Sequence, residues 1–291
     1  MNDQEYKFRD LHGVRVHHLE YLEIPPMGVG RNRQIMVNMD EFVNHDQDEE
    51  LHIECCKGLA LTNDYKPGGV AGISPPEDKV RMHNDKSWSD MLYHLEQYDP
   101  KGLHSEAIRE IIDIKGRNNS LHHLYKYAYY ALGAPIPWYF SCYLKDARFV
   151  DKSTEGTFTP NAAYFPKLLK YVETLPFKEV GRILFLGSFP NAGVLCHRDS
   201  VAAEHKDHSI NLFFTAGRTS YVWDPVKKEK IYLDPNAKSY FFNNRDLHGV
   251  DPDPVFRYTL RVDGTFTDEV CEKLGLEDGY TWKWDYMKEQ Q

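Results

Sequence analysis

Along most of its C-terminal half the chain is built from short segments in which apolar and polar residues alternate or apolar residues run together, set apart by Gly, Pro, Asn and Asp. Gly181–Ser188, Val194–His197, Ser209–Thr215, Thr219–Trp223, Lys230–Leu233, Ser239–Asn243, a strand opening at His248, and Phe256–Asp263 all carry this signature. Period-two alternation puts one face of each segment inward, and the turn residues between them predict antiparallel strands. So many short strands at this spacing predict two sheets enclosing a small pocket. Upstream the rhythm is slower. Met91, Leu92 and Leu95 within Ser87–Tyr98, and Ile108, Ile111 and Ile112 within Leu103–Ile114, recur at helical spacing. Leu121–Leu132 also reads as helix, and Thr159-Pro160-Asn161 opens one that runs through Leu168, Leu169 and Val172. Before Gly72 the pattern is mixed, with short strands expected at Val14–His17 and Leu59–Leu61.

The fold class expected is mainly β with a helical extension, its core a jelly-roll of the double-stranded β-helix, cupin-like kind. Residues 1–160 read as a mixed α/β N-terminal extension or lid, 161–268 as the core, and 269–291 as a short helix followed by the aromatic stretch Tyr280–Trp284.

Composition narrows the function classes. Hydrophobic content of 41% and charged content of 27% are those of a globular protein. A net charge of −9, without a long basic run, argues against a nucleic-acid surface. The five cysteines, two of them adjacent at Cys55-Cys56, form no disulfide framework, and no window has the length of a signal peptide or membrane span. The expectation is a cytoplasmic protein acting on a small molecule, with neither nucleic acid nor membrane as partner.

Three residues suggest the chemistry. His197 and Asp199 are two apart at the end of a strand, so they share a face while Arg198 points away, and His248 opens a later strand. Two imidazoles and one carboxylate cover one face of an octahedral Fe(II) and leave positions for O2 and a co-substrate. Nine residues after His248, Arg257 begins Phe256-Arg257-Tyr258-Thr259-Leu260-Arg261-Val262-Asp263, where its guanidinium suits a dicarboxylate. Thr259 lies on the same face as a second donor, and the set reads as a non-haem Fe(II) oxygenase using 2-oxoglutarate. The paired His17-His18 and His122-His123 are read instead as polar partners beside aromatic packing, because neighbours on a helix diverge by about 100°.

From about Phe165 to Phe266 the chain resembles the aspartyl/asparaginyl β-hydroxylase family, in its bacterial amino-acid hydroxylase branch. The likeness rests on Phe165-Pro166-Lys167-Leu168-Leu169, Leu175-Pro176, the strand and turn before His197, Lys206-Asp207-His208, and the terminal strand from Phe256. It implies Fe(II) held by His197, Asp199 and His248, and 2-oxoglutarate held by Arg257 and Thr259, with His208 near the metal end. The family's arginine two residues before that second histidine is here Lys206, which keeps the charge without the bidentate fork. The implied reaction oxidises 2-oxoglutarate with O2 to succinate and CO2 while hydroxylating a small polar substrate, a free amino acid or derivative. Arg261, on the face of Arg257, is a candidate for the substrate carboxylate, its alternative being an ion pair with an acidic neighbour. Arg198, Tyr139 and Trp138 are further substrate candidates. Competing readings are a peptide or protein aspartyl/asparaginyl hydroxylase, a cupin-type enzyme with extra histidine ligands, and a jelly-roll that binds without turnover.

Overall fold

The computed structural model describes residues 25–62, 70–71, 99, 101–132, 140–146, 156–188, 194–197, 208–215, 219–244 and 246–276. The strand expected at Val14–His17, the helix Ser87–Tyr98 and the aromatic stretch Tyr280–Trp284 lie outside them. In chain order the elements are β1 (Met36–Asn38), α1 (Asp48–Leu61), β2 (Val70–Ala71), α2 (Ser105–Lys115), α3 (Arg117–Leu132), β3 (Phe140–Asp146) and β4 (Thr157–Phe158). They continue with a 3-10 turn (Pro160–Tyr164), α4 (Pro166–Val172), β5 (Phe177–Ser188), β6 (Val194–His197), β7 (His208–Leu212) and β8 (Ser220–Asp224). The last are β9 (Glu229–Tyr232), β10 (Ser239–Phe242), β11 (His248–Val250), β12 (Arg257–Phe266) and α5 (Asp268–Leu274). Among the described residues no helix is long and apolar enough to cross a membrane.

The strands form one sheet in the order β1-β10-β7-β12-β5-β3-β2, with β4 beside β3, and a second in the order β6-β11-β8-β9. From β5 onward the chain passes repeatedly between the two: β5, β7, β10 and β12 belong to the first, and β6, β8, β9 and β11 to the second. Every pairing among them is antiparallel. This alternation is consistent with a double-stranded β-helix. The sheets meet where Tyr240 donates to Ser220 Oγ at 3.2 Å and Val222 packs with Phe213, Tyr240 and Phe242. Strands from before residue 160 take part in the first sheet, where β1 pairs with β10 and β3 pairs with β5.

The helices cover the first sheet on its apolar face. Phe185, Leu212, Leu260 and Val262 from the strands join Leu51, Cys55, Leu59, Leu124 and Leu168 in one buried cluster. Leu59–Leu61, expected as a strand, is the last turn of α1. Three consecutive apolar residues fit either state, and Leu51, Cys55 and Leu59 at four-residue spacing put α1 on this core. Glu54 of α1, itself buried, accepts the N–H groups of Lys167 at 3.0 Å and Leu168 at 2.6 Å. It thereby satisfies donors that the start of α4 leaves open, in the place where the helix dipole favours a negative charge.

Candidate active site

Strand β12 is buried on both faces, for different reasons. Tyr258, Leu260, Val262 and Phe266 pack under the helices, as apolar residues should. The alternate positions are Arg257, Thr259, Arg261 and Asp263; the last three are buried, and the Arg257 side chain is only 24% exposed. Register sets Ser188 opposite Arg257, Asn211 opposite Arg261 and Ser209 opposite Asp263. Ser188, Ser209 and Asn211 are buried too. This polar face is shielded from water, where each buried polar group left without a partner costs about 1–3 kcal/mol.

Two of these groups lack such a partner. Among the described residues, the buried side-chain N and O atoms without a hydrogen bond are His45 Nε2, Arg257 Nε and Thr259 Oγ1. Arg257 Nε is 3.5 Å from Asp253 Oδ2 but makes no hydrogen bond to it, and its Nη1 donates to the Phe256 carbonyl at a long 3.3 Å. A permanently charged fork and a hydroxyl, two residues apart on one strand face, present donors suited to a carboxylate.

Arg261 is engaged otherwise. Its Nε donates to Asp263 Oδ1 at 2.7 Å, while Arg182 Nε from β5 donates to Asp263 Oδ2 at 2.6 Å. Burial alone would raise the Asp263 pKa, but the Arg182 and Arg261 guanidiniums outweigh it and hold the carboxyl below its ordinary range. Arg261, a candidate for the substrate carboxylate with an ion pair as its alternative, thus takes part in a buried ion-pair cluster.

Two of the three metal-ligand candidates lie on neighbouring strands of the second sheet. In the antiparallel pair of β6 and β11, His197 and His248 are register partners. His248 Nδ1 lies 2.8 Å from the Asp246 carbonyl. A carbonyl only accepts, so Nδ1 carries the proton and Nε2 the lone pair of the neutral ring. The ring stands edge-on to Phe242 of the first sheet, with centroids 4.8 Å apart. Asp199, Arg198, Lys206, Tyr139 and Trp138 lie outside the described residues, as does the side chain of His197. Among the described residues no three His, Cys, Asp or Glu side chains form a metal-sized group.

His208 is not brought to Arg257. It pairs with Gly264, which gives it the outward face of the sheet, and its Nδ1 accepts the Phe266 N–H at 3.0 Å. Its ring stacks on Phe266 at 4.6 Å. Behind Arg257 and Thr259, on that same outward face, Tyr258 shares a 2.9 Å hydrogen bond with His52 Nδ1. Burial, then the neighbouring His104, lowers the His52 pKa to about 4. Sequence reading misses His52 and Asp246, because each finds its partners roughly two hundred positions away. The inward polar run on β12 was the one local signal available.

No protein-family model matches the chain, and no curated protein matches it. Among solved structures it is distantly similar to an oxidoreductase of the 2OG-Fe(II) oxygenase family from Burkholderia pseudomallei. The identity is 12%, covering 62% of this chain and 90% of that one, with a TM-score of 0.32. A Pseudomonas putida prolyl-4-hydroxylase shows 12% identity over 44% of this chain and 73% of its own, with a TM-score of 0.28. A Trichoplax adhaerens prolyl hydroxylase, in complex with a hypoxia inducible factor oxygen degradation domain peptide fragment, shows 10% identity over 80% of this chain and 97% of its own, with a TM-score of 0.28.

Proposed function

We propose that the protein is a non-haem Fe(II)/2-oxoglutarate-dependent hydroxylase of a small polar substrate, a free amino acid or close derivative. The observation that carries this reading is the pair of unsatisfied buried donors, Arg257 Nε and Thr259 Oγ1, on the inward face of β12. Buried polar groups are generally hydrogen-bonded, and the far carboxylate of 2-oxoglutarate would supply acceptors to both groups, beside the 3.5 Å ion pair of Arg257 with Asp253.

The residues fit an iron as well. His248 has its tautomer set so that Nε2 can ligate, and His197 stands opposite it in the ladder. Asp199, two residues later in the sequence, would complete a two-histidine, one-carboxylate set suited to Fe(II). Bound Fe(II) with 2-oxoglutarate and O2 would supply the oxidising power for C–H hydroxylation, releasing succinate and CO2. The chain's own work is to bind and orient. Arg257 and Thr259 anchor the co-substrate at its remote end, Ser188 and Asn211 keep the enclosed face polar, and the apolar packing of His248 against Phe242 keeps bulk water from one side of that ring.

Anaerobic addition of Fe(II) and 2-oxoglutarate is the direct test. The proposal expects the weak visible charge-transfer band of the chelate and, in air, succinate formation stimulated by a free amino acid that gains the mass of one oxygen. Stimulation by peptides alone would move the substrate class and keep the oxygenase. A protein that binds 2-oxoglutarate but neither takes up iron nor forms succinate is a binding jelly-roll instead.

A further inference from the structure

Asp246 joins two distant parts of the molecule. Its buried carboxylate accepts the N–H of Met27 through Oδ1 at 2.7 Å and the N–H of Gly28 through Oδ2 at 2.8 Å. Nearby, the side-chain amide of Asn243 donates to the Gly28 carbonyl at 3.3 Å. The segment so held is stiff. Val29 and Gln34 exchange backbone hydrogen bonds of 2.7 and 3.1 Å, closing a tight hairpin. Gly28 has a φ of +68°, and a Cβ there would lie 2.5 Å from the Arg33 carbonyl oxygen. Gly30, with a φ of +64°, sits so close to the end of α5 that a Cβ would fall 1.8 Å from the Leu274 oxygen. This strap therefore has little freedom at either contact.

The main chain of Asp246 acts in the other direction. Its N–H donates to the Asn243 carbonyl at 2.9 Å, closing the turn between β10 and β11. Its carbonyl receives the Nδ1 proton of His248 at 2.8 Å. The side chain is thus fixed by the strap, and the carbonyl of the same residue sets the tautomer and direction of the imidazole.

We propose that Asp246 is a positioning residue for His248, and that the Met27–Gly28 strap holds the imidazole through it; this rests on the reading of His248 as an iron ligand. Two charge-assisted bonds to a stiff strap fix the peptide plane whose oxygen His248 needs. Without them the turn can rotate, and Nε2 loses its single direction. Partners that orient a ligating histidine typically contribute roughly 10–100-fold to metal affinity.

The test uses Co(II), which has a visible ligand-field spectrum, titrated into the metal-free full chain of wild type, Asp246→Asn and Asp246→Ala. Asp246→Ala is expected to bind Co(II) roughly 10–100-fold more weakly, with an altered visible band. Asp246→Asn, which keeps one acceptor, is expected to fall between. Gly28→Ala, remote in sequence and no candidate ligand, should shift the band in the same direction. If Asp246→Ala fails to fold, the Asn variant decides. Wild-type uptake with an unchanged Kd and band in a folded Asp246→Asn overturns the positioning role alone. A wild-type chain that takes up neither Co(II) nor Fe(II) overturns the iron reading and this inference together.

Discussion

The hydroxyl of Tyr258 and Nδ1 of His52, 2.9 Å apart, tie α1 to the strand residue between Arg257 and Thr259. The rings are parallel within 3°, with centroids 5.8 Å apart, so packing and hydrogen bonding constrain the same contact. The inward donors thus stand on a strand whose outward face is held by a helix.

That contact makes stability depend on pH. Burial and then His104 lower the His52 pKa to about 4, against an ordinary value of 6.5. The unfolded chain therefore binds this proton first, and the contribution of neutral His52 is lost as pH falls from about 6.5 toward 4, at about 1.4 kcal/mol per pH unit. Urea unfolding at pH 7 and pH 5 should show His52→Gln losing about 2 kcal/mol less than wild type across that step. Equal losses would mean that His52 is not buried neutral.

Gly58 sets two effects against each other. Alanine in its place should gain about 1 kcal/mol in helix propensity. A Cβ there would lie 2.4 Å from Cε1 of Phe165, whose ring is fully buried and packs on Phe185 at 5.2 Å. Overpacking of this kind costs about 1–3 kcal/mol, so Gly58→Ala should lower Tm rather than raise it. A raised Tm would show that the Phe165 ring can yield.

Strands between residues 181 and 263 are legible in the sequence because their alternation is local and turn residues bracket them. Leu59–Leu61 is not, since three apolar residues fit a strand template and only packing of Leu51, Cys55 and Leu59 onto the sheet identifies the helix. Spacing shows that Arg257 and Thr259 share a face. It does not show which face His208 takes, because that is set by pairing with Gly264 fifty-six positions later. The role of Arg261 is equally non-local, since Arg182 of β5 completes its ion-pair cluster. The Asp246 clamp leaves no trace in local pattern at all.

Asp263 should govern a second, more acidic pH window. Its carboxyl is held below the ordinary value of 3.8, so its contribution is complete above that value and is lost as pH falls through the lower folded-state pKa. At neutral pH, Asp263→Asn removes the carboxylate charge that the Arg182 and Arg261 guanidiniums both face, the latter side chain only 7% exposed. Breaking a buried pair in this way costs about 3–5 kcal/mol. Chemical denaturation at pH 7 should register that loss, and the difference from wild type should shrink on acidification below about pH 4. A constant difference down to the acid transition would assign the loss to packing rather than charge.

Thr259 should show function and stability moving in opposite directions. Its hydroxyl is buried without a hydrogen bond, so the ligand-free fold carries an unsatisfied group costing about 1–3 kcal/mol. Thr259→Val removes that hydroxyl and keeps a β-branched side chain suited to a strand. The variant should therefore melt no lower than wild type without ligand, and higher if the group is dry. If the hydroxyl donates to the carboxylate of 2-oxoglutarate, the same change removes a charge-assisted hydrogen bond worth about 1.5–3 kcal/mol and weakens co-substrate binding by about tenfold or more. Arg257→Ala should exceed that, because a charge-assisted pair in a shielded site contributes about 2–5 kcal/mol. Calorimetric titration of 2-oxoglutarate into the metal-loaded variants, beside melting curves of the ligand-free proteins, separates the two effects. A Thr259→Val protein that loses stability but binds 2-oxoglutarate normally would place the carboxylate elsewhere and give the hydroxyl a structural partner.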